Sequence, residues 1–216
     1  YEAKVQKLIN THVRSDEVLQ VTPLVNIFET EKFQAEIDKL ESAASRADMI
    51  AHRTMKTIIE RMEEDPFFYR RFSKVLEDAI EAHKEERISD AEYLNRVQEV
   101  LNSVRNRTGD ELPRSLKDHD VAKAFYGVVH EVLNAKNGNI TNSRELAAAV
   151  AIRIDGLIQS KRVVDWTSNI DVQNDMRKQI DDYLYKVKEE NDIDLTAEEM
   201  DLIIEGALKI AQLRYA

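Results

Sequence analysis

The chain has 216 residues and a formal net charge of −10, with 43% hydrophobic and 33% charged residues. This composition excludes a disordered chain and is typical of a helix-rich globular protein with a sizeable core. The overall acidity argues against a non-specific nucleic-acid coat, but it leaves room for a local basic surface. No cysteine is present, which excludes disulfides and thiolate metal sites and fits a reducing compartment.

Few residues interrupt helices, since the chain has only five Gly and three Pro. No run of about 18 apolar residues exists, so the sequence predicts no membrane span. The opening YEAKVQKLIN has neither a Met nor a signal-peptide core, and it begins inside a helical pattern, as a piece of a longer chain would. Acidic residues are concentrated late in the chain, with twelve Asp or Glu against four Lys or Arg in 171–205.

The dominant hydrophobic period is helical. Residues 1–29 are predicted to form a helix and an extended arm, because EVLQVTPLVNIF (17–28) is the one strand-like stretch. Asp65 is predicted to cap a helix that begins at Pro66, where the missing N–H costs nothing. The helix before it is predicted from one apolar stripe: Ala47, Ile50, Ala51, Thr54, Met55, Ile58 and Met62.

Later helices are predicted from their start and stop residues. SDAE (89–92) and TAEE (196–199) have the spacing of capping boxes. Gly109 is expected to end the helix that SDAE begins, and KNGN (136–139) indicates a turn. Other helices are predicted to start at Asp118 or Asp120, at Asn142 or Ser143, and after WTSNID (166–171). The fold class is therefore all-α, with about eight or nine helices and a single helical domain over 30–216.

No catalytic or metal-binding motif emerges from the sequence. None of the five histidines follows a Glu by three residues, and HEVLN (130–134) lacks the second His of a zinc-protease motif. His130 is therefore interpreted as a solvated or core-edge residue. There is no phosphate loop or Rossmann fingerprint, and the only acid-x-Lys sequence is EAK (2–4), on a predicted helix. We predict no catalytic residue, metal or cofactor in this chain.

Three basic clusters are the remaining candidates for binding DNA or a partner. Each cluster has two interpretations: a solvated face with helix salt bridges, such as Lys56 with Glu60, or contacts with phosphates or a partner's carboxylates. Arg105 and Arg107 are the strongest candidates, because they lie beside a glycine turn that can approach a ligand closely. The candidate residues are Arg46, Arg53, Lys56, Arg70, Arg71, Lys74, Arg105, Arg107, Arg114 and Lys117.

Two further expectations concern single residues. Trp166, the only Trp, is interpreted as a core anchor, with an interface anchor as the alternative. Reversal of charge at Arg53 and Arg107 is expected to leave helicity intact and to weaken DNA binding or assembly.

Four segments resemble the C-terminal helical region of the motor, or R, subunit of type I restriction–modification enzymes. They are IAHRTMKTIIERMEEDPFFYRRFS (50–73), VRNRTGDELP (104–113), AKAFYGVV (122–129) and NDMRKQIDDYLY (174–185). The resemblance runs in order from about residue 28 to 213. No segment is a catalytic motif, so the resemblance identifies a region of a subunit and not a reaction.

The resemblance implies a place within a larger enzyme of the bacterial or archaeal cytoplasm. In that family a nuclease domain and two ATP-driven motor domains precede the helical region. ATP and Mg²⁺ are therefore expected in the parent subunit, an ATP-dependent site-specific deoxyribonuclease, and not in this chain. The helical region is associated with assembly onto the methyltransferase and specificity core, with duplex DNA nearby. Expected partners are that core, the duplex and the upstream motor domains.

Two other functions stay open at this stage. One is a stand-alone helical interaction module without a DNA role, which the net charge and the acidic C-terminal helices would suit. The other is a helical enzyme with an unrecognised site, for which a buried cluster of carboxylates or histidines in a deep pocket would be required.

Overall fold

The computed structural model describes residues 25–109, 112–136 and 143–215. Within these ranges the protein is all-α, as predicted, and no β-strand occurs in the described parts of the chain. In chain order the helices are α1 (Thr30–Asp38), α2 (Ala43–Glu60), α3 (Pro66–Lys84), α4 (Asp90–Asn106), α5 (Asp120–Asn134), α6 (Ser143–Lys161), α7 (Ile170–Glu190) and α8 (Ala197–Arg214). Two short 3-10 helices, Arg114–Leu116 and Trp166–Ser168, precede α5 and α7.

Several helix starts follow the sequence prediction closely. Asp65 Oδ1 accepts a hydrogen bond from Phe68 N at 3.1 Å, with Pro66 at the first position of α3. Thr196 and Glu199 form a complete capping box at the start of α8. At α4 only half of the predicted box forms, since Ser89 accepts from Glu92 N while the Glu92 side chain pairs with Arg96. Each such cap typically stabilises a helix by about 1 kcal/mol.

Some predicted boundaries are corrected or fall outside the described residues. The helix ending near Gly109 is capped by Arg107, which adopts the left-handed conformation at φ 52°. Gly109 has a positive φ of 91° two residues later. The predicted N-terminal helix, most of the arm in 1–29 and most of the KNGN turn (136–139) lie outside the described residues. The division into 1–29 and 30–216 stays a prediction.

The buried apolar residues form two clusters. The first joins residues 25–28 with α1 to α4 and is rich in aromatic side chains, such as Phe33, Phe68 and Tyr93. The second joins the first 3-10 helix with α5 to α8 and is made largely of Ala, Ile and Leu. We call the described residues of 25–109 the N-terminal half and those of 112–215 the C-terminal half.

The two halves meet where α3 packs against α5. Phe67 lies against Gly127 so closely that a Cβ added at position 127 would be 2.3 Å from Phe67 Cβ. Three ion pairs of the described residues join the halves as well: Lys209 Nζ to Glu63 at 2.7 Å, Arg70 Nη2 to Glu131 at 3.3 Å and Arg214 Nη1 to Glu64 at 3.7 Å. Among the described residues, none of the helices combines the length and the hydrophobicity that a membrane span requires.

Candidate nucleic-acid and partner interface

Arg107, one of the strongest sequence candidates, is an internal residue of the N-terminal half. Its Nη2 donates to Asp65 Oδ2 at 2.5 Å, and the two side chains are 20% and 3% exposed. Its guanidinium also lies over the Phe68 ring, 4.6 Å from the centroid. Asp65 therefore holds the end of α4 while it caps the start of α3.

Burial sets the protonation properties of this Asp65–Arg107 pair. Burial raises the pKa of Asp65, and the nearby Arg107 offsets only part of the rise. Burial opposes the charge of Arg107 too, but the Asp65 carboxylate outweighs it and leaves the pKa of Arg107 raised. Each partner thus limits the cost of burying the other, which is the requirement for a charged pair in a low-dielectric site.

Arg105 and Arg46 are also tied to the protein's own backbone. Arg105 Nε donates to the carbonyl of Ile27 at 2.5 Å, and its guanidinium lies 5.0 Å from the Phe33 ring centroid. Its Nη2 is buried without a hydrogen-bond partner, and burial lowers its pKa. Arg46 Nε donates to the Leu40 carbonyl at 2.7 Å across the turn between α1 and α2.

Arg53 and Lys56 line a groove of about 400 Å³ between α2 and residues 25–28. Arg53 is only 9% exposed, so it does not lie on a solvated helix face. Lys56 is exposed and pairs with Glu60 at 3.7 Å, as predicted. Arg61 joins them in the groove although sequence reasoning missed it. We call the surface formed by 25–28 and Arg53, Lys56, Thr57, Glu60, Arg61 and Glu64 the basic groove.

The remaining candidates are exposed. Arg70, Arg71 and Lys74 lie on the solvent side of α3, and Arg70 is held by the Pro66 carbonyl at 3.1 Å as well as by Glu131. Arg114 and Lys117 are exposed at the first 3-10 helix. Arg114 shares a separate groove with Arg144, which the sequence analysis did not select.

A surface around the second 3-10 helix was missed by sequence reasoning as a site. Three aliphatic side chains are exposed there, Val163 at 53%, Val164 at 90% and Ile170 at 70%. The two valines line an open groove of about 540 Å³, together with Arg162, Asp165, Trp166, Thr167 and Tyr215. We call residues 162–170 the valine surface. Its sequence signal is two adjacent valines outside any predicted helical stripe.

Buried side chains and hydrogen bonds hold the walls of this groove in place. Trp166 is 2% exposed, which confirms it as a core anchor, and its Nε1 is buried without a partner. Arg162 lies 4.6 Å from the Tyr215 ring centroid. The Tyr215 hydroxyl donates a short hydrogen bond to buried Asp155 and accepts one from Gln159 at 2.9 Å. Burial and Asp155 raise the pKa of Tyr215, so its hydroxyl stays a donor at neutral pH.

Little in the described residues resembles a catalytic centre. No group of three or more His, Asp or Glu there could hold a metal ion. His130 lies at the core edge, as interpreted, stacked on Tyr126 with ring centroids 5.1 Å apart. Burial lowers the pKa of His130, and the Arg144 charge adds to that effect.

The described residues form a helical module with grooves lined by basic side chains and an exposed aliphatic surface. A family model described as the C-terminal region of type I restriction enzyme HindI endonuclease subunit-like proteins matches residues 1–212. The chain belongs to this family. No curated protein and no solved structure matches it.

Proposed function

We propose that this chain docks a type I restriction endonuclease subunit onto the methyltransferase core of the restriction complex. The family membership supports the parent enzyme, and the exposed aliphatic residues of the valine surface support a docking role. Exposed apolar side chains that cluster into a patch commonly mark a site of protein interaction. Val163 and Val164 line a groove whose base includes buried Trp166, and Ile170 is exposed within the same eight residues of sequence.

The valine surface suits a partner that supplies apolar side chains to the groove. Burial of about one aliphatic side chain contributes roughly 1.5–3 kcal/mol to association before its entropic cost. Arg162 and Asp165 at the groove can add polar contacts that fix orientation. Trp166 would supply the rigid floor of such an interface.

A DNA-proximal role forms the second part of the proposal. Lys56, Arg70, Arg71, Lys74, Arg114 and Lys117 are exposed cations in this otherwise acidic chain. Contacts from such side chains to phosphates hold a duplex in position and carry no sequence information. We infer that ATP and Mg²⁺ act in the motor and nuclease domains of the parent subunit, and that those domains are partners of this chain.

The direct test is size-exclusion chromatography of this chain with the cognate methyltransferase core, with and without duplex DNA. The expected result is co-elution without DNA, because the docking contact is protein to protein. The variant Val163→Ser/Val164→Ser should abolish co-elution while circular dichroism stays unchanged, since both side chains are exposed.

The matched control is Val75→Ser/Leu202→Ser, which removes two exposed aliphatic side chains elsewhere. This control should co-elute as the wild type does. Absence of wild-type co-elution under both conditions would overturn the docking role. Equal loss in the two double variants would show that the valine surface is not the specific contact.

A stand-alone interaction module without a DNA role is the second candidate function. The acidic concentration in 171–205 favours it, with twelve Asp or Glu against four Lys or Arg, because such a surface repels a duplex. This candidate would be favoured if the chain co-elutes with the core equally well with and without DNA. The isolated chain should then show no measurable binding to duplex.

A further inference from the structure

The basic groove places buried and exposed cations around one concave surface in a protein of net charge −10. Arg53 lies at its base, and Lys56 and Arg61 stand on its α2 side, 46% and 40% exposed. Arg105 lies directly behind the opposite wall, since it donates to the carbonyl of Ile27. Arg53 and Lys56 lie on α2, Arg61 is the C-cap of α2, and Arg105 lies on α4. Tertiary structure therefore brings these four cations together.

The carboxylates of the groove do not cancel this positive charge. Glu64 is shared between Arg61 at 3.8 Å and Arg214 at 3.7 Å, so one carboxylate faces two guanidinium groups. Glu60 stands at the exposed rim, 3.7 Å from Lys56. Apart from Arg53, two carboxylates thus oppose three cations on or behind the groove, Lys56, Arg61 and Arg105, while Arg214 is paired with Asp120 at 2.5 Å.

Arg105 makes the excess positive charge energetically unfavourable when no ligand is bound. No ion pair of Arg105 with a carboxylate is present in the described ranges, and its Nη2 has no hydrogen-bond partner. Burial lowers its pKa, as expected for a cation without a counter-charge. A buried cation of this kind is stabilised when an anion occupies a nearby site.

The side chain of Arg61 is positioned to bind such an anion. Its guanidinium lies over the Phe28 ring, 4.6 Å from the centroid, and this stacking limits its rotamer freedom. A planar guanidinium presents its donors in a fork that matches the geometry of phosphate oxygens. Lys56 adds a mobile point charge on the neighbouring turn of α2.

We propose that the basic groove binds a phosphate group through Arg53, Lys56 and Arg61. The phosphate belongs either to the backbone of duplex DNA or to a free phosphate compound. Duplex DNA as the source of this phosphate rests on the DNA-proximal role proposed above, whereas phosphate binding by the groove does not. Arg105 lies behind the wall of the groove, so its positive charge attracts the phosphate without contacting it.

The experiment measures binding by the whole chain of two probes, a short fluorescein-labelled duplex by anisotropy and inorganic triphosphate by calorimetry. The variant Lys56→Gln/Arg61→Gln should weaken the binding of the preferred probe by about tenfold or more at low salt. For duplex, the slope of log affinity against log salt should fall by about one for each phosphate that the variant no longer neutralises. Preference for duplex assigns a backbone phosphate, and preference for triphosphate assigns a free one.

The matched control is Lys178→Gln/Lys186→Gln, which removes two exposed charges from α7. It should bind both probes as the wild type does, and Lys56→Arg, which keeps the charge at that position, should retain most of the affinity. Binding of neither probe by the wild type, or equal losses in groove and control variants, would overturn the proposal. Co-elution of Lys56→Gln/Arg61→Gln with the methyltransferase core is recorded in parallel, so failure of the groove stays distinguishable from failure of docking.

Discussion

The two halves of the molecule place their charged residues in opposite ways. The N-terminal half buries Arg53 and Asp65, and Arg105 and Arg107 lie over the Phe33 and Phe68 rings. In the C-terminal half, Asp155 is the single buried charged residue within the described ranges. Its core closes around small residues instead, including Ala147, Ala148 and Ala151 on α6.

This contrast determines which amino-acid substitutions each half tolerates. A core that contains charged pairs is sensitive to loss of one partner, because the other charge stays buried. A core built on alanine and glycine is sensitive to added volume, because close-packed helices leave no space for it. The halves should therefore fail under different substitutions, and the following predictions run from the largest expected effect to the smallest.

The largest effect is expected at the Asp65–Arg107 pair. Arg107→Met leaves the Asp65 carboxylate buried without its cation, and breaking such a pair costs about 3–5 kcal/mol. The measurement is the free energy of unfolding from urea denaturation. Asp65→Asn/Arg107→Met should regain part of the loss, because the double variant leaves no uncompensated charge.

Arg96→Met is the matched control for this substitution. Arg96 pairs with Glu92 at 2.7 Å, but both side chains are about half exposed. Such surface pairs contribute about 0–1 kcal/mol. Similar losses in Arg96→Met and Arg107→Met would contradict the distinction between internal and surface arginines in the N-terminal half.

A smaller effect is expected where the halves meet. Gly127→Ala places a Cβ 2.3 Å from Phe67 Cβ, so α3 and α5 must separate. Overpacking of this kind typically costs about 1–3 kcal/mol. The readout is again the urea midpoint, and a loss confined to one of two unfolding transitions would show that the halves unfold separately.

Gly156→Ala gives the comparison within the C-terminal half. A Cβ at position 156 meets nothing within 4 Å, and Ala is a better helix former than Gly by up to about 1 kcal/mol. We expect a small gain in stability. A gain at Gly127 as well would refute the close contact between the halves.

The smallest effect concerns alkaline pH in the N-terminal half. Burial, with the nearby Asp48, raises the pKa of Tyr93 from 10.0 to about 12. The folded state therefore favours the neutral phenol, so its stabilisation is complete below pH 10 and is lost as the pH rises towards 12. Tyr93→Phe should flatten the fall of unfolding free energy across that window.

Tyr185→Phe, at an exposed position, serves as the control for the alkaline measurement and should leave the slope unchanged. Part of the slope should persist in Tyr93→Phe, because burial also raises the pKa of Tyr215 in the C-terminal half. An unaltered slope in Tyr93→Phe would reject the burial of its hydroxyl as a source of alkaline sensitivity.

The positions of the arginine candidates show the limit of helical periodicity as a guide to sites. Arg53 falls outside the apolar stripe of its helix, yet residues 25–28 lie beside it and it is buried. Periodicity predicts that charge reversal at Arg53 and Arg107 spares helicity. In the structure this reversal places two carboxylates beside buried groups, with Arg107→Glu facing Asp65, so we expect unfolding instead. The binding roles of the ten candidates stay predictions.

The sequence by itself determined the helical class, the starts of α3 and α8, the burial of Trp166 and the family resemblance that the family model confirms. These depend on local capping, on hydrophobic period and on ordered segments, all of which lie within a short stretch of chain. Tertiary structure alone decided which arginines are internal, that Arg61 joins a groove, and that Val163 and Val164 stay uncovered. Those outcomes depend on contacts between residues far apart in sequence, such as Asp65 with Arg107 and Ile27 with Arg105, and no local pattern specifies them.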